Sequence, residues 1–388
     1  NDISESEWRG STVTYMHINE LTLMNVYDPK NPTATDLVSH GEGAGGAIVY
    51  DAKGATASSR YSSSYNPNRA VDGFIGNMEN AGLSVNSDAR YNFSYLKNPE
   101  HVEMHSLYLW YHRIQHFSSA SLDGTELYTV DGLGAISGEI IMPTWLSNDY
   151  LFLDVPGEWY IDRYEGKIYY KADGTMEGKE AILPVAEQII QMDFASNIKF
   201  EGITFSHTTW THCSTEDYND QQANCYYDGA HWVQAPAGMH LTGCENIVFD
   251  DCDITNMGTA GIKIRSDGSK TSDGNQIINS RIHDIGYGGI IVGQAYGHHG
   301  YQSYMLVKNT TIKNNYITRV GLENRDSPGI IAVYTNGTVI EHNEVAYCPY
   351  TGISTGWGWD SEEFELNNTA FLEEVGNNKV IYNYVHAP

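Results

Sequence analysis

Six times in the second half of the chain, an apolar residue is followed by a middle residue three positions on and a second apolar residue two positions later. The sets are Phe200/Ile203/Phe205, Phe249/Cys252/Ile254, Ile277/Ser280/Ile282, Ile312/Asn315/Ile317, Ile340/Asn343/Val345 and Val380/Asn383/Val385. Their first positions lie 49, 28, 35, 28 and 40 residues apart. In most units a glycine-led apolar run comes next: Gly261-Ile262-Lys263-Ile264, Gly289-Ile290-Ile291-Val292, Gly329-Ile330-Ile331-Ala332-Val333 and Gly352-Ile353-Ser354-Thr355. Three short strands per turn, with turns of variable length, predict a right-handed parallel β-helix. No coil buries its inward face alone, and stacking lines Ile, Val and Phe into ladders. Asn at the middle position of three units fits a stack of amides bonding the turns above and below. A doubly wound α/β fold would need amphipathic helices between the strands, and the chain has almost none.

Upstream the pattern is less regular. Gly-Glu-Gly-Ala-Gly-Gly at 41–46 marks a loop, and His105–Tyr111 alternates like a strand. Gly157–Arg163 and Gly166–Tyr170 read as two strands joined by a polar turn. The expectation is an all-β chain: a β-rich N-terminal region over 1–185, sandwich- or barrel-like with an accessory subdomain, and the parallel β-helix over 186–388.

Charge narrows the partners. A net charge of −27 argues against nucleic acid or anionic lipid and disfavours an acidic polysaccharide. No apolar run is long enough to span a membrane. The start at Asn1, which fits a processed mature protein, and four N-x-Ser/Thr acceptors at Asn92, Asn309, Asn336 and Asn367 favour an extracellular or periplasmic location. Cys213 and Cys225 flank a polar loop, and a local disulfide between them is expected. The other three cysteines read as small buried residues, and no CxxC pair marks a zinc or redox centre.

In β-helix enzymes the substrate groove runs along the sheet to which the glycine-led strands would belong, the first of three. Alternation points Lys263, Ile291, Ala332 and Ser354 outward. The turns after these strands supply Arg265, Asp267, Gln294, Tyr334, Trp357, Trp359 and Asp360. The turns before them supply Tyr287, Glu323, Arg325, Asp326 and Tyr350. A long insertion over 294–304 adds His298 and His299, and the loop after the first coil adds His207, Trp210 and His212. Aromatic faces stack on sugar rings, one carboxylic acid protonates the leaving oxygen, and a second carboxylate activates water or attacks the anomeric carbon. Asp360, directly after Gly-Trp-Gly-Trp, is the first catalytic choice, with Asp326 and Glu323 from the preceding turn. Trp357, Trp359, Tyr334, Gln294, Lys263, Arg265, His207 and Trp210 are the substrate-binding set. The bland readings stand beside these. With 49 Asp and Glu, most turn carboxylates are solvated surface groups. Asp326, before Ser327-Pro328, fits a turn cap. His298 and His299 lack a third spaced metal ligand. His283, Asp284, His342 and Glu344 fall away from the groove and read as structural.

Three segments, GEWYIDR at 157–163 with GKIYY after it, NIKFEGITFSHTTW at 197–210 and YTGISTGWGWD at 350–360, resemble the β-helix glycoside hydrolases of family 141 and their relatives. The likeness covers roughly residues 100–388. It implies a secreted or periplasmic hydrolase with α-L-fucosidase or xylanase activity and acidic residues near the Gly-Trp-Gly-Trp turn. Members of that family usually continue with a further coil carrying an Asp-Gly-Gly-Ala-Ile-Tyr-like segment, whereas this sequence stops at Pro388. The segment ATASSRYSSSYNPNRAVDG at 55–73 resembles the opening of discoidin-type carbohydrate-binding domains.

Three function classes follow. The first is a glycoside hydrolase on an oligo- or polysaccharide, requiring no cofactor. The second is a polysaccharide lyase, with Lys263 and Arg265 as base and neutraliser and Ca2+ as an added ion. The third is a non-catalytic glycan-binding or structural protein that assembles with copies of itself through its open last coil.

Overall fold

The computed structural model describes residues 93–108, 111–120, 126–129, 145–153, 156–294, 306–356 and 369–386, with breaks at 154–155, 173, 179, 215, 223, 228–231 and 268, and short strands at 70–71, 74–77, 82–85, 135–136 and 139–140. The chain divides into two compact units: residues 1–11, 16–180 and 211–219, and residues 12–15, 181–210 and 220–388.

The first unit holds a seven-stranded antiparallel sheet with strand order Ala70–Val71, Phe74–Asn77, Gly82–Val85, Glu126–Thr129, Tyr111–Ala120, Glu103–Tyr108, Trp145–Ser147. A separate hairpin pairs Trp159–Asp162 with Lys167–Tyr170, and Asp162 within it accepts an ion pair from Lys97 at 2.9 Å.

The second unit is the parallel β-helix. Its first sheet stacks Ile190–Asp193, Ala237–Thr242, Ala260–Arg265, Ile290–Val292, Pro328–Val333 and Thr351–Gly356. The second stacks Ser196–Glu201, Glu245–Asp250, Gln276–Ile278, Thr311–Lys313, Val339–Glu341 and Lys379–Ile381. The third stacks Thr204–Thr208, Asp253–Met257, Arg281–Ile285, Tyr316–Val320, Glu344–Ala346 and Tyr384–His386. All neighbours within these sheets pair in parallel. The register joins Phe200, Phe249, Ile277, Ile312, Ile340 and Val380 into one column, and Phe205, Ile254, Ile282, Ile317, Val345 and Val385 into another. These are the two apolar positions of the sequence repeat; from Phe249 to Ile340 and from Phe205 to Val345 they are rungs of the buried core, while Val380 and Val385 of the last coil are exposed. At full burial a Val, Ile or Phe side chain contributes about 1.5–3 kcal/mol. Near its first coil the core is aromatic: the Phe200 and Phe249 rings stack at 5.0 Å, and Phe205 meets Phe249 edge-on at 6.0 Å.

The corner between the second and third sheets has the same two-residue length in every coil, as the strand limits show. Its first residue is left-handed throughout: Gly202, Asp251, Asn279, Asn314, His342 and Tyr382 have φ between 52° and 64°. Its second residue carries the internal ladder. Cys252 N donates to Ser280 Oγ (3.0 Å), Ser280 N to Asn315 Oδ1 (2.9 Å), Asn315 N to Asn343 Oδ1 (3.0 Å) and Asn343 N to Asn383 Oδ1 (3.0 Å). Buried backbone donors at this corner face a side-chain acceptor from the next coil, which is how a strand-free turn is tolerated inside a core. The glycine that opens the first-sheet strands also has a steric reason. A Cβ on Gly261, Gly289 or Gly329 would stand 2.5–2.6 Å from the carbonyl oxygen of the corresponding glycine one coil on.

Candidate functional site

The outer face of the first sheet is defined by register. Ile190, Met239, Ile262, Ile290, Ile330 and Ile353 point to the core, so the next residue of each strand points out. That outward column is Gln191, His240, Lys263, Ile291, Ile331 and Ser354. Ala332, expected outward, pairs with Val292 and lies in the core cluster; Ile331 takes the outward place. A second outward column begins Asp193, Thr242, Arg265. The outer face is therefore polar over its first three strands and apolar over the next two, where Ile291 and Ile331 are fully buried.

Lys263 is buried on this face. Its Nζ donates to the carbonyl oxygens of Gln234 and Ala235, each at 3.3 Å, in the long insertion 209–236 between the third and first sheets. Burial, and next the nearby Arg265 guanidinium, pull the Lys263 amine down to about 7. Burial, followed by the charges of Lys263 and Arg265, pulls neighbouring His240 down to about 3. Arg265 is half-buried, and its Nε donates to Thr242 Oγ1 at 3.2 Å.

The corner from the third to the first sheet gathers a second cluster. Trp210 packs edge-on against Tyr287 (4.9 Å) and Tyr226 (5.4 Å). Asn224, left-handed at φ 67°, accepts from Gly288 N at 2.6 Å and donates its amide to Ser327 Oγ at 2.9 Å. Its backbone N donates to Asp326 Oδ2 at 3.1 Å, and Asp326 is only 1% exposed. Asp326 thus pins the insertion to the turn ahead of Pro328. Glu323, half-buried in the same turn, has its Cγ 3.0 Å from where a Cβ on Gly286 would lie. The structure therefore brings Asp326, Glu323 and Trp210 to one side of the first sheet. Gln294 and Tyr334 lie on the opposite side, at the corners leading to the second sheet, with Tyr334 buried.

Other expectations fall differently. His207 is not in the loop after the first coil. It lies inside strand Thr204–Thr208 at φ 70°, its Nδ1 sharing a hydrogen bond with Ser206 Oγ at 2.8 Å. Asn256, Asp284, Arg319 and Tyr347 repeat that left-handed bulge in later coils. Cys213 and Cys225 carry no disulfide. His283 and Asp284 lie on the third-sheet strand Arg281–Ile285, away from the first-sheet face. The His283 ring lies 2.6 Å from Asp284 Oδ2 and 2.9 Å from Asp253 Oδ1, and Arg319 grips Asp284 through Nε (2.6 Å) and Nη2 (2.7 Å). Trp357, Trp359, Asp360, His298, His299 and nearly all of segment 55–73 lie outside the described residues. Among the described residues no three His, Cys, Asp or Glu side chains converge to hold a metal ion, and no helix is long and apolar enough to cross a membrane.

His240, paired with Lys263 in register, and the packing of Gln234 and Ala235 onto Lys263 escaped attention in the sequence. The insertion carries no repeat, but its length between Thr208 and Ala237 marked it as an elaboration of the helix.

Three ladders of parallel strands with a polar outer face on one of them define a parallel β-helix with a surface elaborated on one side. The chain belongs to the right-handed β-helix family, whose model, described as "Right handed beta helix region", matches residues 188–386. A solved structure named "Glycoside hydrolase" shares the fold, with a TM-score of 0.61 and 24% identity. The match covers 73% of this chain and 56% of that one, so this chain spans little more than half of its neighbour's length. No curated protein matches the sequence.

Proposed function

We propose that the chain is part of a glycan-cleaving glycoside hydrolase that works on the outer face of the first sheet. The observation that carries this reading is where the coils differ in length. The second-to-third corner never exceeds two residues, while the corners bordering the first sheet expand to 209–236, 266–275, 293–310 and 357–378. Each of these long connections begins or ends at a first-sheet strand, and long connections on a rigid scaffold are where binding residues gather. The name of the solved neighbour supports the hydrolase class, and the family 141 resemblance narrows the substrate to fucosylated glycans or xylan, met outside the cytoplasm.

In this reading Asp360 supplies a catalytic carboxyl group from the corner leading to the second sheet, and Glu323 is a carboxylate on the other side of the same sheet. Asp326 positions the insertion through Asn224. Trp210 stacks on sugar rings from one side of the sheet, and Trp357 and Trp359 from the other, the side that also carries Tyr334 and Gln294. The reaction needs no cofactor, because a carboxyl pair performs both proton transfers.

The test is a screen of the intact protein on fucosylated, xylan and uronate-containing glycans, following new reducing ends and ultraviolet absorbance together. Reducing ends without absorbance are expected. Absorbance from unsaturated ends would assign the lyase class instead, and neither signal would remove the enzymatic reading. Asp360→Asn should lower turnover by about 10²–10⁴, the usual worth of an acid or base, with glycan binding retained. Full activity in that variant would reject Asp360.

A further inference from the structure

The polar part of the first-sheet face is a patch of six outward side chains: Gln191, His240 and Lys263 in one column, and Asp193, Thr242 and Arg265 in the other. Adjacent strands lie about 4.8 Å apart, so His240, Lys263 and Arg265 share one small area. None of the three makes an ion pair among the described residues, although Asp267 feels the Arg265 charge. The acid next along the chain, Asp267, is occupied by the backbone N–H groups of Ser269 and Lys270, both at 2.7 Å. Asp193 sits two strands from Arg265, about 10 Å away by strand spacing, and accepts from Gln191 at 2.8 Å.

In this patch and in the segment against it, polar atoms stand unused. Lys263 donates to two carbonyl oxygens, and an ammonium has three hydrogens to give. His240 Nε2 and both amide atoms of Gln234 are buried with no hydrogen-bond partner. Gln234 is 8% exposed and Lys263 5%. Lys263 could serve as a structural clip for the insertion, but a neutral donor would fill that role without burying a charge, which is costly unless it is paired. Nor does a clip account for the idle Gln234 amide. The patch is open at Gln191, which is exposed, and at half-buried His240 and Arg265; it is closed by Ile291 beyond Lys263.

We propose that this patch is an oxyanion subsite that receives the carboxylate or sulfate group of an acidic glycan, with Arg265 and His240 at its mouth and Lys263 behind them. The inference rests on the glycan reading of the first-sheet face and names the substrate class. Guanidinium and ammonium groups form charge-assisted hydrogen bonds with such oxygens. The overall negative charge does not oppose this, because fields from distant surface charges fade beyond about 8 Å at physiological salt, while Arg265 and Lys263 lie within that range.

Calorimetric titration of the intact protein with neutral, uronate-bearing and sulfated oligosaccharides of matched length tests the proposal. At least one acidic ligand should bind tenfold or more tighter than the neutral one, and whether uronate or sulfate gains the advantage identifies the source of the oxyanion. Arg265→Gln and Lys263→Met should each reduce that preference about tenfold. Because Arg265 is only half-buried, its variant keeps the test decisive if Lys263→Met misfolds. Equal binding of neutral and acidic ligands, or a preference that survives Arg265→Gln and any folded Lys263→Met, would overturn the subsite and leave the glycan reading intact. If none of the oligosaccharides binds, both readings fall.

Discussion

Replacing Asn343 by alanine would cut the internal ladder at its most connected rung. Asn343 is 1% exposed. Its Oδ1 accepts from both the backbone N and the side-chain amide of Asn315, at 3.0 and 2.9 Å. Its Nδ2 donates to Ile312 O and Asn383 Oδ1, each at 2.9 Å. The Asn315 amide keeps its bond to Ile277 O, and Asn383 is only half-buried, so neither is stranded by the change. The Asn315 N–H is stranded, whereas the Ile312 carbonyl stays within the ladder that pairs 311–313 with 339–341. A buried group left unmade costs about 1–3 kcal/mol, so about that much is expected. A stack of coils loses order locally as well as globally, so amide hydrogen exchange suits the question better than a single melting curve. Protection should fall in the strands around 312–317 and 340–345 and much less at 190–208. Asn343→Ser should recover part of the loss, since Ser280 already accepts and donates at the same position. If Asn343→Ala lowered protection by less than about 1 kcal/mol, the view of the amide stack as a required acceptor would be wrong.

Three further outcomes are expected. Gly289→Ala would push a Cβ to 2.6 Å from Gly329 O and 3.1 Å from Ile317, so it should destabilise by at least the roughly 1–3 kcal/mol typical of overpacking, whereas Gly356→Ala meets no neighbour and is limited to the strain of its φ of 96°. His283 feels burial first, which lowers its basicity, but the hydrogen bonds to Asp253 and Asp284 outweigh this and raise it. Its contribution is therefore full below 6.5 and lost as pH rises through the higher folded value, and His283→Gln should remove that alkaline loss from a urea stability profile. Lys263 has the opposite sign: with its folded value near 7 against 10.5 unfolded, stability rises with pH between the two, and Lys263→Met should abolish that rise.

The β-helix was legible because its grammar is local. The middle-residue corner is two residues long in each coil, so Phe200 to Val380 could be aligned by eye across spacings of 28 to 49 residues and match the observed register. Ala332 was misplaced because Ile330, Ile331 and Ala332 are all apolar and buried on both faces, which erases the alternation that tells inside from outside. His207 was misread as loop because the left-handed bulge in strand Thr204–Thr208 leaves no apolar signature. The oxyanion patch was half visible: Lys263 and Arg265 were seen as a facing pair. His240 and Gln234 were not, since a long-range packing of insertion 209–236 decides their surroundings. The proposed Trp357, Trp359 and Asp360 wall rests on the sequence.

The invariant corner between the second and third sheets makes the coil an interchangeable module. Two of the observed spacings, Phe249 to Ile277 and Ile312 to Ile340, are 28 residues. A segment of that length begins and ends at equivalent points of the cycle, so an extra copy would meet the strand above and below in phase and pass the amide stack through unbroken. The protein could then be lengthened along its axis by whole turns, extending the first sheet without redesigning any core layer.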